Sequence, residues 1–205
     1  MKKLAAILCL SALTTGAFAQ GLVNFINTST TLSSATVNGT SAATSGNPGS
    51  YYYGLLLAAA GTTDPKAFTF SGMYATNLSA AGRFNGGINQ VVPTTPGWAA
   101  GASMSYEVAI WSSSLGHDWQ AGWLQGNFPG APAGSVFGLS SIATGISGGA
   151  GAPASPAYNL FGGATGLSTG FNANPIGGTP PVPEPTSMAL AGLGAAALLI
   201  FRRRK

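Results

Sequence analysis

The chain has 205 residues, which is enough for one domain with short appendages. Only 6% of its residues are charged, and six of the eight basic ones stand at the two ends of the chain: Lys2, Lys3, Arg202, Arg203, Arg204 and Lys205. The central part therefore lacks a basic stripe that would neutralise phosphates, which excludes a nucleic-acid-binding protein.

The first twenty residues, MKKLAAILCLSALTTGAFAQ, have the layout of a secretory signal peptide. Lys2 and Lys3 form a positive start, Leu4–Leu13 form a short apolar run, and Ala17-Phe18-Ala19 offers an A-x-A cleavage site. We expect a signal peptide over residues 1–19, removed by cleavage between Ala19 and Gln20.

The single cysteine, Cys9, lies inside this apolar run, which continues past it. Lipidation requires a cysteine just after the apolar stretch, so an acylated N-terminus is not expected. Because the processed chain would contain no cysteine, disulfides, thiol catalysis and cysteine–metal sites are excluded as well.

The body that follows shows the period-two alternation of β-strands and no convincing helical spacing. In SMSYEVAIW, for example, large apolar residues alternate with small or polar ones, and YYYGLLLA is a continuous apolar run suited to a strand buried on both faces. GRFNGGINQVV is interpreted as a hairpin with its turn at Asn85-Gly86-Gly87. The predicted strand regions are 21–27, 51–58, 67–77, 82–92 and 103–111.

Several short strands with glycine- and asparagine-containing turns predict an all-β fold, a single β-sandwich or jelly-roll-like domain with Gly/Pro-rich loops. From residue 141 onward small residues dominate, and we interpret this part as loosely packed final strands or loops. The expected division is a β-rich exported domain at 20–171 and a flexible linker at 172–181.

The body carries three carboxylates, Asp64, Glu107 and Asp118. A glycosidase needs two carboxylates across the scissile bond, but Glu107 takes a polar position of an alternating strand, where a solvated side chain is expected. The sole histidine, His117, is expected to lie in a loop before a strand at Trp119, with the neighbouring Asp118 pointing away from it. We therefore expect no enzyme activity and no catalytic residue.

Metal and cofactor sites are not predicted either. One histidine cannot complete a metal site, and no G-x-S-x-G elbow occurs among the many serines. Calcium binding through Asp64 or Asp118 with backbone carbonyls stays open, although no Asp-rich loop supports it.

The four tryptophans allow two interpretations. Trp111, Trp119 and Trp123 stand within 13 residues of one another, and exposed rings beside asparagine and glutamine would stack on sugar faces. Buried rings would instead fill the core, together with Trp98. The high average burial of tryptophan favours the core, and glycan contact by Trp111, Trp119 and Trp123 is the alternative.

The C-terminal stretch VPEPTSMALAGLGAAALLIFRRRK divides into a proline-bracketed glutamate, an apolar run and a basic end. Residues 188–201 are all apolar or glycine and would span about 21 Å as a helix, short of a hydrocarbon core of about 30 Å. Four consecutive cations at the end cannot lie beside a buried core and suit the cytoplasmic side of a membrane. We predict a short transmembrane helix at 187–201 with a stop formed by Arg202, Arg203, Arg204 and Lys205.

This three-part order resembles the PEP-CTERM sorting signal of Gram-negative bacteria, a module also named the ice-binding protein C-terminal domain. The resemblance covers residues 182–205, with its motif at 182–186. It implies export through the general secretion machinery and recognition by the membrane-embedded protease exosortase, with Pro183, Glu184 and Pro185 as the recognition motif. It also implies an association with exopolysaccharide and biofilm matrix.

Two functions follow from these features as expectations. The first is a structural or interaction protein of the cell surface or extracellular matrix, anchored in the membrane before processing and then found at the surface or outside the cell. The second is a carbohydrate-binding or adhesive module that uses the Trp111–Trp123 region. Ice binding is not supported, because the threonines are scattered rather than arranged in a regular array.

Overall fold

The computed structural model describes residues 20–93 and 97–176. Within these ranges the chain forms β-strands and three short 3₁₀ helices, Pro65–Ala67, Ser113–Leu115 and Ala121–Gln125. The strands are β1 (Leu22–Asn24), β2 (Ser33–Val37), β3 (Thr40–Ala43), β4 (Tyr51–Ala59), β5 (Thr69–Asn77), β6 (Phe84–Asn85), β7 (Gln90–Val91), β8 (Ser103–Ser112), β9 (Val136–Leu139), β10 (Ala143–Ile146), β11 (Tyr158–Asn159) and β12 (Phe171–Pro175). The all-β prediction is confirmed.

The strands form a large sheet and a small one. The large sheet has nine strands in the order β3-β2-β12-β9-β8-β4-β5-β6, with β10 paired to the free part of β8. The small sheet has the order β11-β1-β7. The β12–β2 and β1–β11 pairs are parallel, whereas the other pairs are antiparallel.

The centre of the large sheet is the long antiparallel pair β4–β8, whose register runs from Tyr51 opposite Ser112 to Ala59 opposite Met104. The apolar run of β4 is buried from Tyr53 to Ala58, so the prediction of a strand covered on both faces is confirmed. β8 is likewise buried from Ser105 to Trp111. Both central strands therefore supply side chains to two separate cores.

The first core lies between the two sheets. Tyr53, Leu55 and Leu57 of β4 reach it together with Tyr106, Val108 and Ile110 of β8. Val23 of β1 closes it from the small sheet. The second core lies on the opposite face of β4–β8, where Leu56, Ala109 and Trp111 meet residues from the loops after β4 and β8. Two packed layers of strands around the first core give the sandwich-like arrangement.

The hairpin interpretation of residues 82–92 is wrong. β6 pairs with β5, and β7 pairs with β1, so the two short strands belong to different sheets. Asn85-Gly86-Gly87 instead meets Phe25: the Gly86 amide donates to the Phe25 carbonyl at 2.8 Å, and the Phe25 amide donates to the Gly87 carbonyl at 2.9 Å. The backbone groups that a local turn would have paired with each other are instead hydrogen-bonded to Phe25, which is distant in the sequence.

The linker prediction for 172–181 is wrong at its start. Phe171–Pro175 form β12, which lies parallel to β2 and antiparallel to β9, and Ala173 is fully buried. Small residues suit β12 because the neighbouring strand β9 approaches it closely. A side chain at Gly138 of β9 would collide with the backbone of β12. Residues 177–181 of the predicted linker lie outside the described residues.

Candidate binding site at the tryptophan cluster

The second core is covered by the segment that follows β8, residues 113–128. Two 3₁₀ helices lie in it, Ser113–Leu115 and Ala121–Gln125, and each ends at a glycine. Gly116 and Gly126 have φ angles of 89° and 75°, a region that glycine enters without the steric penalty of other residues. These turns bring Trp119, Trp123 and Phe128 back over the sheet.

Trp111 is the anchor of this core. Its side chain is fully buried, and its indole Nε1 donates to the Gly116 carbonyl at 2.9 Å. Gly54 of β4 leaves room for the ring, because a Cβ at this position would lie 3.2 Å from Trp111 and 3.0 Å from Phe70. Trp111 therefore holds the covering segment to the sheet and presents no face to solvent.

Trp123 and Trp119 continue the cluster outward. The Trp123 ring lies 5.4 Å from that of Trp111 and is only 4% exposed. Trp119 lies 5.3 Å from Trp123 and 5.6 Å from Phe70, with which it stacks, and it is half-buried. The core interpretation is therefore right for Trp111 and Trp123, while Trp119 is the tryptophan of the three that keeps substantial contact with solvent.

A cleft of about 470 Å³ opens beside Trp119. Phe68 and Phe70 form one wall with Thr69, and the other wall is the 3₁₀ helix with Leu124 and Gln125. Thr69 and Gln125 are exposed, so a hydroxyl and an amide stand beside aromatic rings. None of the described residues that line this cleft is charged.

A smaller cleft of about 250 Å³ lies against other residues of the same segment. Trp123, Phe128 and Leu115 supply its apolar surface, and Ser114 and Gln120 supply a hydroxyl and an amide. The described residues around it are again uncharged. The two clefts thus repeat one composition, in which rings are flanked by neutral hydrogen-bonding groups.

His117 and Asp118 lie at the edge of the cluster, and the expectation that they point apart is wrong. His117 Nδ1 lies 3.0 Å from Asp118 Oδ1 in a bent loop, where neighbouring side chains are not forced to opposite sides. The imidazole lies edge-on to Tyr52 at 5.0 Å and 4.3 Å from the Tyr74 ring. The strand predicted at Trp119 is also absent from the described residues, since the loop continues there into the 3₁₀ helix.

The loop is tied to the sheet by one further bond. The Trp119 amide donates to Tyr74 Oη at 3.1 Å. Tyr74 therefore contacts the loop twice, through its hydroxyl at Trp119 and through its ring at His117. This fixes the position of Trp119 independently of its own side chain.

Glu107 is buried, and the expectation of a solvated glutamate is wrong. Its side chain is fully buried, and neither carboxyl oxygen has a hydrogen-bond partner within the described residues. Burial, with a smaller contribution from the charge of Asp64, raises the pKa of Glu107 from 4.5 to about 8. The carboxyl is therefore neutral at pH 7, enclosed beside Leu56, its partner across the β4–β8 pair.

The carboxylate pair considered for catalysis, Glu107 and Asp118, does not assemble in the described ranges. Asp118 is 89% exposed on the surface, whereas Glu107 is enclosed. Asp64 accepts a hydrogen bond from the Lys66 amide at 3.0 Å and caps the first 3₁₀ helix. No group of three histidine, cysteine, aspartate or glutamate side chains is placed to hold a metal ion in residues 20–93 and 97–176.

The predicted sorting and membrane residues lie outside the described residues. These are Ala19, the motif Pro183, Glu184 and Pro185, and the cations Arg202, Arg203, Arg204 and Lys205. Gln20, the expected first residue after cleavage, is described and forms a β-bridge with Ala99. In the part of the chain that the structure describes, no helix has the length and apolarity needed to span a membrane.

The chain thus combines an all-β domain bearing an uncharged aromatic surface with a C-terminal segment of different sequence character. That segment, residues 181–205, matches the family model of the PEP-CTERM protein-sorting motif. The resemblance seen in the sequence is confirmed for these residues, and it supports an exported protein that is targeted to exosortase. No curated protein and no solved structure matches the chain, so the family of the body is not identified.

Sequence reasoning missed Phe70, Gln125 and Phe128 as neighbours of the tryptophans. Phe70 did stand in a predicted strand, and the alternation of that strand places Phe70 and Tyr74 on one face. The signal for Gln125 is its position two residues after Trp123. Neither signal shows which face of β5 the covering segment would occupy, because that depends on contacts between distant parts of the chain.

Proposed function

We propose that this chain is a structural or interaction protein of the cell surface or extracellular matrix, exported and then processed near its C-terminal motif. The match of residues 181–205 to the PEP-CTERM sorting motif carries the proposal. The sequence adds a physical reason: Pro183 and Pro185 resist helix formation and favour an extended chain around Glu184. An extended chain is the form that a protease binds.

Intact mass measurement of the protein recovered after export from its native host tests this proposal. We expect a chain that begins at Gln20 and lacks the segment after the motif. Glu184→Ala should leave an unprocessed C-terminus, and Pro180→Ala, just upstream of the matched residues, is the control that should be processed normally. A mature wild-type form that still ends at Lys205 would overturn the processing claim.

A second candidate function is carbohydrate binding at the cleft beside Trp119. Its support is one observation: half-buried Trp119 and Phe70 stand in a cleft with the exposed Thr69 and Gln125. Sugars present apolar C–H faces that pack on aromatic rings, and hydroxyls that bind neutral amides and hydroxyls. Trp111 and Trp123 then hold the site in place rather than form its sugar-stacking surface.

Glycan-array binding of the mature protein tests this second function. Trp119→Ala should abolish binding, and Gln125→Ala, an exposed position, should weaken it without disturbing the fold. Tyr158→Ala is the aromatic control, because Tyr158 is a half-buried ring that lines other clefts. Near-ultraviolet circular dichroism verifies folding of each variant. Absence of affinity for any glycan by the folded wild-type protein would overturn this function.

A further inference from the structure

The two clefts at the tryptophan cluster adjoin one another along the segment 119–125. Trp119 lines the larger cleft and Trp123 lines the smaller one, and their ring centroids are only 5.3 Å apart. The clefts share no lining residue. The short 3₁₀ helix between them is therefore a narrow ridge with a cleft on each side.

Each cleft has the elements needed to hold one part of a sugar chain. The larger has Phe70 and Trp119 with the amide of Gln125, and the smaller has the half-buried ring of Phe128 with the amide of Gln120, while the nearly buried Trp123 forms its base. Gln120 and Gln125 are both exposed and make no side-chain hydrogen bond within the described residues. Both amides are consequently available to a ligand.

The charge of the lining residues indicates which class of sugar chain the clefts would bind. The described lining residues of both clefts are neutral. Lys66 and Arg83 are the cations of the described ranges; neither lines a cleft, and Arg83 Nη2 donates to the Asn27 carbonyl at 2.7 Å. A uronate carboxyl or a sulfate would give up part of its hydration in these clefts without an opposite charge among the lining residues.

We propose that the two clefts together bind an internal stretch of a neutral polysaccharide, which crosses the ridge at residues 119–125. The inference rests on the proposed carbohydrate-binding function and adds to it the substrate class and the mode of binding. A chain that occupies both clefts gains from joining two weak contacts in one molecule, so its affinity exceeds that of a single sugar unit in either cleft.

Isothermal titration of the full mature protein tests the proposal. The probes are a neutral glucan, a neutral mannan and a polyuronate, with the hexasaccharide and disaccharide of each, at low and high salt. We expect one of the neutral polymers to bind with an affinity that salt does not change. Its hexasaccharide should bind at least about tenfold more tightly than its disaccharide.

Two matched substitutions separate the clefts. Gln120→Ala and Gln125→Ala should each weaken binding of the hexasaccharide by about three- to tenfold, the loss of one net hydrogen bond. Gln90→Ala is the control, because Gln90 is an exposed glutamine on β7 that lines neither cleft. All three positions are on the surface, so these variants are expected to fold.

The outcomes distinguish this inference from the function on which it rests. Three results would contradict binding of one sugar chain across both clefts. These are tighter binding of the polyuronate than of the neutral polymers, equal affinity for disaccharide and hexasaccharide, and weaker hexasaccharide binding in Gln125→Ala but not in Gln120→Ala. Any of these results would leave carbohydrate binding standing. If none of the probes and no arrayed glycan bound the folded protein, the carbohydrate-binding function itself would be contradicted.

Discussion

The two faces of the β4–β8 pair are built differently. On the first face the buried hydroxyls are satisfied: Tyr53 Oη lies 2.8 Å from Ser33 Oγ and 2.9 Å from Thr44 Oγ1, and those two atoms are 2.8 Å apart. Tyr106 Oη donates to the Leu160 carbonyl at 2.8 Å. Burial raises the pKa of Tyr53 to about 12 and raises the pKa of Tyr106 as well, so both hydroxyls stay protonated as donors.

The second face has the opposite character. Loops rather than strands cover it, several of its aromatic rings are half-exposed, and clefts open beside Trp119 and Trp123. It also holds Glu107, a buried carboxyl without a hydrogen-bond partner in the described ranges. Leaving a buried polar group unpaired lowers stability, so this face is not optimised for stability alone.

The difference indicates that the two faces of this sheet have different roles, one in stability and one in binding. The first face holds the two sheets together through apolar packing and hydrogen-bonded tyrosine hydroxyls. The second presents loops and a neutral aromatic surface, features that binding sites combine on a rigid support. The following predictions test whether stability and binding are separated in this way.

The largest expected effect concerns Glu107. An unfolded glutamate titrates near 4.5 and folded Glu107 near 8, so between these values the folded protein keeps a proton that the unfolded chain releases. The free energy of unfolding should therefore fall as pH rises from about 4.5 to about 8. One pKa unit corresponds to about 1.4 kcal/mol, so the total loss is on the order of 5 kcal/mol.

Glu107→Gln removes this titration while keeping the size of the side chain. Urea unfolding at pH 4.5, 6 and 8 should show the variant close to wild type in acid and more stable than wild type at pH 8. Asp118→Asn is the matched control, because Asp118 is 89% exposed and its replacement should leave the pH dependence unchanged. An equally steep loss of stability in Glu107→Gln would contradict the assignment.

A smaller effect is expected on the first face. Tyr53→Phe removes the hydroxyl that bonds Ser33 and Thr44 but leaves those two side chains bonded to each other. The expected loss is about 1–2 kcal/mol at every pH between 4.5 and 8, with unchanged glycan affinity. Tyr51→Phe on the same strand is the control and should stay within about 0.5 kcal/mol of wild type. Altered glycan binding in Tyr53→Phe would show that the faces are coupled.

The central strands could be predicted from the sequence because their signals are local. The apolar run of β4 and the alternation of β8 specify strands without reference to the rest of the chain. The alternation in β8 nevertheless gave a wrong result for Glu107, since it assumes that one face is open to water. Whether residues 113–128 fold back over that face depends on Trp111 and its partners, which no local pattern shows.

The short strands could not be predicted for a related reason. β12 consists of FNANP, whose asparagines and proline are typical of a linker, and its identity as a strand comes from β2 and β9 on its two sides. β7 follows a turn-like sequence yet pairs with β1. Of the candidate site, the tryptophans were found by their spacing, while Phe70 and Gln125 are joined to them only by the fold.

The smallest expected effect is at His117, on the rim of the second face. His117→Ala removes ring contacts with Tyr52 and Tyr74 at a side chain that is 53% exposed, so the free energy of unfolding should fall by only about 0.5 kcal/mol. Asp118→Ala is the control and should have no measurable effect, because an exposed polar contact of this kind contributes little. Because the Trp119 amide bond to Tyr74 remains, glycan affinity should change less than twofold, measured by titration with the neutral hexasaccharide. A tenfold loss would mean that His117, and not Tyr74 alone, positions the Trp119 loop.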